Sequence, residues 1–157
     1  MPSMKYRAAL LAAALGLVTA LTAMPAAAQY RNAEAAIKYR QSAMALQGNH
    51  MARIFAMANG QVPFDAKVAA EQIEVVSMLN RLQFAAFIDG SDKGNTRAKP
   101  EIWTEKDKFA AAVAKSQEDV AKLAAAGKTG SLDQIKAAAG TVGQSCKACH
   151  DAYQKPQ

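Results

Sequence analysis

From residue 31 onward, apolar side chains recur at three- and four-residue intervals and no stretch alternates in the period-two manner of a strand. Ala, Leu, Met, Lys, Glu and Gln dominate, and β-branched residues are scattered singly, which predicts helix throughout. Three breaks divide the pattern into four segments: Asn59-Gly60 followed by Pro63, the run from Asp89 through Gly94-Asn95 to Pro100, and Gly127 to Gly130. The first predicted helix runs from about Arg31 to Ala58, with Ile37, Met44 and Met51 at sevenfold spacing and Ala33, Arg40, Gly48 and Phe55 filling the same face. The second starts at an Asp65 cap and reaches Phe87, burying Val68, Val75, Leu79, Leu82 and Ala86, with Phe84 and Phe87 near its end. The third is expected to be capped by Thr104 and to end near Gly127, with Phe109, Val113, Ser116, Val120 and Leu123 as its seam. The fourth opens on a Ser131/Gln134 capping box and carries Leu132, Ile135, Ala139, Val142, Cys146, Cys149 and Tyr153 on one line. Four long helices with short connections predict an all-α, antiparallel four-helix bundle. Trp103, in the one long connection, is expected to fold back as an apolar plug.

The first 28 residues differ from the rest. Lys5 and Arg7 precede an apolar run from Ala8 to Met24, and Ala26-Ala27-Ala28 offers a small-residue cleavage site, so residues 1–28 read as a secretory signal peptide. An uncleaved anchor is the competing reading, but the run is short, rich in Ala and followed by the cleavage motif. Residues 29–157 are then one domain, exported, periplasmic and not held to the membrane. The net charge is +6, and two of those charges, Lys5 and Arg7, belong to the leader. The remaining excess is spread among acidic residues with no aromatic-basic patch, which argues against nucleic acid as a partner.

The chemistry lies in Cys146-Lys147-Ala148-Cys149-His150, the two cysteines being the only ones in the chain. A disulfide across two intervening residues closes almost no chain, so the thiols are not there as a staple. Positions i, i+3 and i+4 share a helix face, so both thiols can add to the vinyl groups on one porphyrin edge while His150 lies under the iron as proximal ligand. This is the c-type haem attachment pattern. A redox pair would want a βαβ setting, and a zinc site lacks further soft ligands, since His50 is the only other histidine and is expected to be exposed. Gly140 and Gly143 interrupt the same helix, which implies either close helix contact or room for a flat macrocycle.

Several stretches carry a family resemblance: Lys38-Tyr39-Arg40-Gln41-Ser42-Ala43-Met44, Ala85-Ala86-Phe87, Pro100-Glu101-Ile102-Trp103, and Val142 to Tyr153 around the motif. Together they resemble cytochrome c′ and its low-spin His/Met relatives, the class II cytochromes c. The resemblance implies one covalently bound haem c per chain. It places the distal residue on Met44, a distal aromatic on Phe87 and a haem-propionate arginine on Arg40. It also implies a homodimer packed through the first two helices. Family members often carry a basic residue four positions after the histidine, and here that position is Gln154.

The sixth iron position turns on Met44. If its thioether binds iron, the site is low-spin and suited to electron transfer; if it packs beside the iron, the site is five-coordinate and open to NO or CO. Met44 and Phe87 offer no hydrogen-bond donor, which suits those gases better than oxygen. Without a distal histidine or a second acid-base pair, the sequence reads as an electron-transfer and gas-binding protein and not an enzyme. Its redox partner is not identified by the sequence, although Lys136, Lys147 and Lys155 could steer an acidic one. The reading from another class is a haem-free helical binding protein using Cys146 and Cys149 as a redox pair.

Overall fold

The computed structural model describes residues 29–156. The signal-peptide reading falls outside them. Among the described residues, five helices form the fold: α1 (Ala33–Ala58), α2 (Ala66–Leu82), the short α3 (Glu101–Thr104), α4 (Lys106–Thr129) and α5 (Leu132–Tyr153), with a 3-10 turn at Gln83–Ala86. The four long ones make the expected bundle, α1 against α2 and α4 against α5 in antiparallel pairs. Among the described residues no helix is long and apolar enough to cross a membrane.

The helix starts follow local chemistry. Asn32 Oδ1 accepts from Ala35 N, Asp65 Oδ1 from Val68 N and Ser131 Oγ from Gln134 N, each relieving an unpaired amide of the first turn. Two boundaries differ from expectation. Thr104 is not a cap: it ends α3, whose first turn is set by Pro100, and α4 begins after Glu105 without a side-chain cap. Gly127 does not stop α4 either. It stays helical, and a Cβ there would meet Ile73 Cδ1 at 3.0 Å, so glycine here allows the close approach of α2; the stop is Gly130, at φ 67°.

The core is a stack of aliphatic side chains, with Ile54, Ile73, Val76, Leu123, Ile135 and Val142 at its centre. On α2 the buried stripe is Ala69, Ile73, Val76 and Asn80, one position round from the expected one. Val68 and Leu82 face solvent and Val75 and Leu79 are half-buried. On α1 the heptad line holds for Ile37 and Met51, while Ile54, Ala43 and Gln47 join it and Gly48 lies exposed. His50 is half-buried, its Nδ1 2.7 Å from Gln72 Oε1, and not free in solvent.

Candidate haem site

At the end of the bundle where α5 finishes, a cleft opens between α1, the 3-10 turn and α5. Its cavity volume is about 120 Å³. Met44 enters it from α1; Cys149 and His150 enter from α5. Cys146 is half-buried against the core just below, and His150 is solvent-exposed. Burial is the first cause holding both thiols above their ordinary range; the second is the charge of Asp119 for Cys146, and Cys146 itself for Cys149.

One flank of the cleft is aromatic. Phe87 stands 5.1 Å from Phe109, and Phe109 5.2 Å from Tyr153, centroid to centroid, in edge-to-face arrangements; Phe84 lies 6.5 Å from Phe87. Trp103 folds back on Phe87 at 6.1 Å and donates its Nε1–H to Ile88 O, the plug anticipated for it. Phe109 and Tyr153 were expected only as seam residues. Tyr153 lies four positions after Cys149, so helical spacing alone could have placed it beside the motif.

Arg40 is 2 % exposed. Its Nη1 donates to Ala86 O (3.1 Å) and Ser91 Oγ (2.7 Å), and its Nη2 to Ser91 O (2.6 Å) and Thr96 Oγ1 (2.8 Å). Its guanidinium carbon is 4.6 Å from the Phe87 ring centroid, so one residue ties α1 to the whole connection and seats the aromatic flank. Burial lowers its pKa without any acid to offset it. Of five guanidinium N–H groups, these acceptors take the four on Nη1 and Nη2. Ser91 and Thr96 escaped sequence reasoning because they are brought to Arg40 by the path of a loop, which no periodicity encodes.

The C-terminal end of α5 is held by the same connection. Lys99 N donates to Tyr153 O and Lys155 N to Arg97 O, a short antiparallel bridge around Ala98 and Gln154. Lys99 Nζ adds bonds to Asp151 O and Ala152 O, satisfying carbonyls in the last turn of the helix that carries His150. Gln154 and Arg97 line the cleft beside it.

The family model for cytochrome c′ matches residues 35–154. The chain belongs to the cytochrome c′ family. Cytochrome c′ of Rubrivivax gelatinosus is 52 % identical over 128 residues, covering 81 % of this chain and 99 % of that one. Its crystal structure superposes with a TM-score of 0.79 at 51 % identity, over 80 % of this chain and 99 % of that chain. A ferrous variant of cytochrome c′ from Alcaligenes xylosoxidans with bound NO gives a TM-score of 0.78 at 42 % identity, covering 82 % of this chain and 99 % of that chain. A carbon-monoxide-bound variant of the same protein gives 0.77 at 42 %, over 81 % and 99 %.

Cytochromes c′ carry one covalently attached haem c, and that is the cofactor of this chain. The donor set fits it: two free thiols and an imidazole on one turn of α5, opening on a cleft with an aromatic flank. A haem-free redox pair is thereby set aside.

Proposed function

We propose that this cytochrome c′ is a periplasmic protein whose folded domain, residues 29–157 after removal of a signal peptide, holds a five-coordinate haem that transfers single electrons and reversibly binds NO or CO. Cys146 and Cys149 form the thioethers, His150 is the proximal ligand, Met44 and Phe87 are distal, and Arg40 reaches a propionate. The observation that carries the reading is the placement of Met44 and the His150 turn on separate helices lining one cleft, with Phe84, Phe87 and Phe109 completing it. None of these distal side chains can donate a hydrogen bond, so they accept a weakly polar diatomic ligand without rewarding a polar one. When bound, haem iron would supply the one-electron couple and a site for the gas; the chain would supply the imidazole, the apolar distal wall and the anchor points. The A. xylosoxidans cytochrome c′ variants with bound NO and with bound CO support the gas-binding part of this reading.

Met44 as sixth ligand is the second reading, favoured by one observation: it is half-buried on the cleft wall and not packed into the core as Met51 is. Absorption spectra of the reduced holoprotein with and without carbon monoxide separate the two. A broad high-spin spectrum that shifts on adding the gas is expected. A sharp low-spin spectrum indifferent to the gas, converted to a gas-sensitive one by Met44→Ala, would make Met44 the ligand. The exposed apolar positions of α1 and α2 fit a homodimer, and the exposed lysines 136 and 155 fit an acidic redox partner.

A further inference from the structure

Among the described residues, two charged side chains are buried, Arg40 and Asp119. Arg40 is accounted for by the loop it holds. Asp119 is 1 % exposed, and its carboxylate accepts two bonds from Lys115 Nζ, at 2.5 and 2.6 Å, one turn earlier on α4. Such a pair needs no burial: Glu118–Lys122 and Lys147–Asp151 run along α4 and α5 with both partners more than half exposed. Sinking one carboxylate into the bundle carries a desolvation cost that an exposed pair avoids, so the position calls for a use.

The position is set by the antiparallel register of α4 and α5. Phe109 packs against Tyr153. Stepping forward along α4 and backward along α5 from that pair brings Ser116 level with Cys146 and Asp119 level with Gly143. Asp119 is therefore about 4.5 Å along the axis from the level of Cys146. Cys146 packs on the same core that Val120 enters from α4. Burial raises the Cys146 thiol pKa first, and the Asp119 charge raises it further, which agrees with the two groups lying close together.

We propose that Asp119 is a redox-setting residue, a buried negative charge within one helical turn of the haem thioether at Cys146 that biases the iron toward its oxidised, more positive state. The inference rests on Cys146 carrying the haem. One electron passes from a one-electron donor to ferric iron, giving ferrous iron; Asp119 exchanges neither electron nor proton and acts only through its field. Lys115 cancels that field only in part, because its side chain is 56 % exposed and screened by solvent while the carboxylate is enclosed.

The test is a spectroelectrochemical titration of the covalently loaded holoprotein at pH 8, for the parent and for Asp119→Asn, which keeps shape and removes charge. The reduction equilibrium constant is expected to move about three- to tenfold toward the ferrous form, with an unchanged absorption spectrum and a shift that persists in 0.5 M salt. An unchanged equilibrium in a folded, haem-loaded Asp119→Asn protein overturns the proposal. If that variant does not fold, Lys115→Gln decides: leaving the carboxylate without its partner is expected to shift the equilibrium toward ferric, and no shift, or a shift toward ferrous, overturns it. Intact mass of the parent separates this outcome from failure of the attachment reading, because a chain without the added mass of haem would contradict the assignment of Cys146 and leave no couple to titrate.

Discussion

Arg40 shows how much one side chain can organise. Removing it strands the carbonyls Ala86 O and Ser91 O, while the Ser91 and Thr96 hydroxyls keep Ile88 O and Ala98 N as partners, and each buried group left unpaired costs about 1–3 kcal/mol. Arg40→Met, which keeps the length and loses the donors, is expected to lower unfolding free energy by at least about 3 kcal/mol in a urea titration. It should also loosen Phe87, visible as a changed near-ultraviolet signal of the adjacent Trp103. The two thiols give a second residue-scale expectation. Both are raised by burial, so folding favours the protonated form: the stability this contributes is complete below the unfolded thiol pKa and is lost as pH rises through the folded one. Apoprotein should therefore lose stability in mildly alkaline solution, from about pH 8.5 upward. Denaturant melts at pH 7 and pH 10 check this, and a Cys146→Ala/Cys149→Ala chain that falls off equally would refute it.

Among the elements, α5 contains a built-in comparison. A Cβ at Gly140 meets nothing within 4 Å, whereas one at Gly143 comes within 3.1 Å of Phe55 Cζ. Gly140→Ala should then gain about 0.5–1 kcal/mol from helix propensity alone, while Gly143→Ala must displace the Phe55 ring and should gain less or lose stability in the same thermal melt. The close-contact explanation for glycine thus applies to Gly143 and not to Gly140. The same distinction explains what was legible in advance. α5 is readable over most of its length because an N-cap, a seam and a covalent motif agree on one face, although Leu132 is exposed and Ser131 N donates to Thr129 Oγ1, so only the Ser131 half of the capping box forms. α2 was misread by one position because Val68, Val75, Met78, Leu79 and Leu82 put aliphatic groups nearly all round the helix, and only the partners that close over Ile73 and Val76 decide which side is inside. In sequence, Gly127 reads as the start of the break that runs to Gly130, because glycine allows both a turn and a close crossing, and the choice depends on Ile73, which is distant in sequence. The cleft followed the same rule: residues anchored by helical spacing to Cys149 were inferable, whereas Ser91, Thr96 and the Ala98–Gln154 bridge depend on where a loop returns. Asp119 was hidden for a related reason, since a Lys115–Asp119 spacing looks like any solvated surface pair until the register with α5 is known.

At the scale of the whole molecule, the misread face of α2 is itself informative. Met78 is 52 % exposed and Leu82 43 %, and on α1 Tyr39 and Leu46 are exposed at 38 % and 51 %. These side chains lie on the two helices that the family resemblance implicates in a dimer, outside a core that is already complete without them. A self-complementary contact about a twofold axis would cover them twice, and a stable one needs roughly 1,200–2,000 Å² in total, the area that two such helices per subunit can supply. The expectation is that the holoprotein sediments as a dimer, and that Met78→Glu combined with Leu82→Glu yields a monomer, because pairing the faces would then bury four carboxylates without partners. The haem spectrum and its response to carbon monoxide should be unaffected, since neither position lines the cleft. Sedimentation velocity of the two proteins at equal concentration checks the first point and the spectra the second. A parent that sediments as a monomer, or a charged variant that remains dimeric, would remove α2 from the interface and return its exposed stripe to the scatter of apolar side chains found on any protein surface.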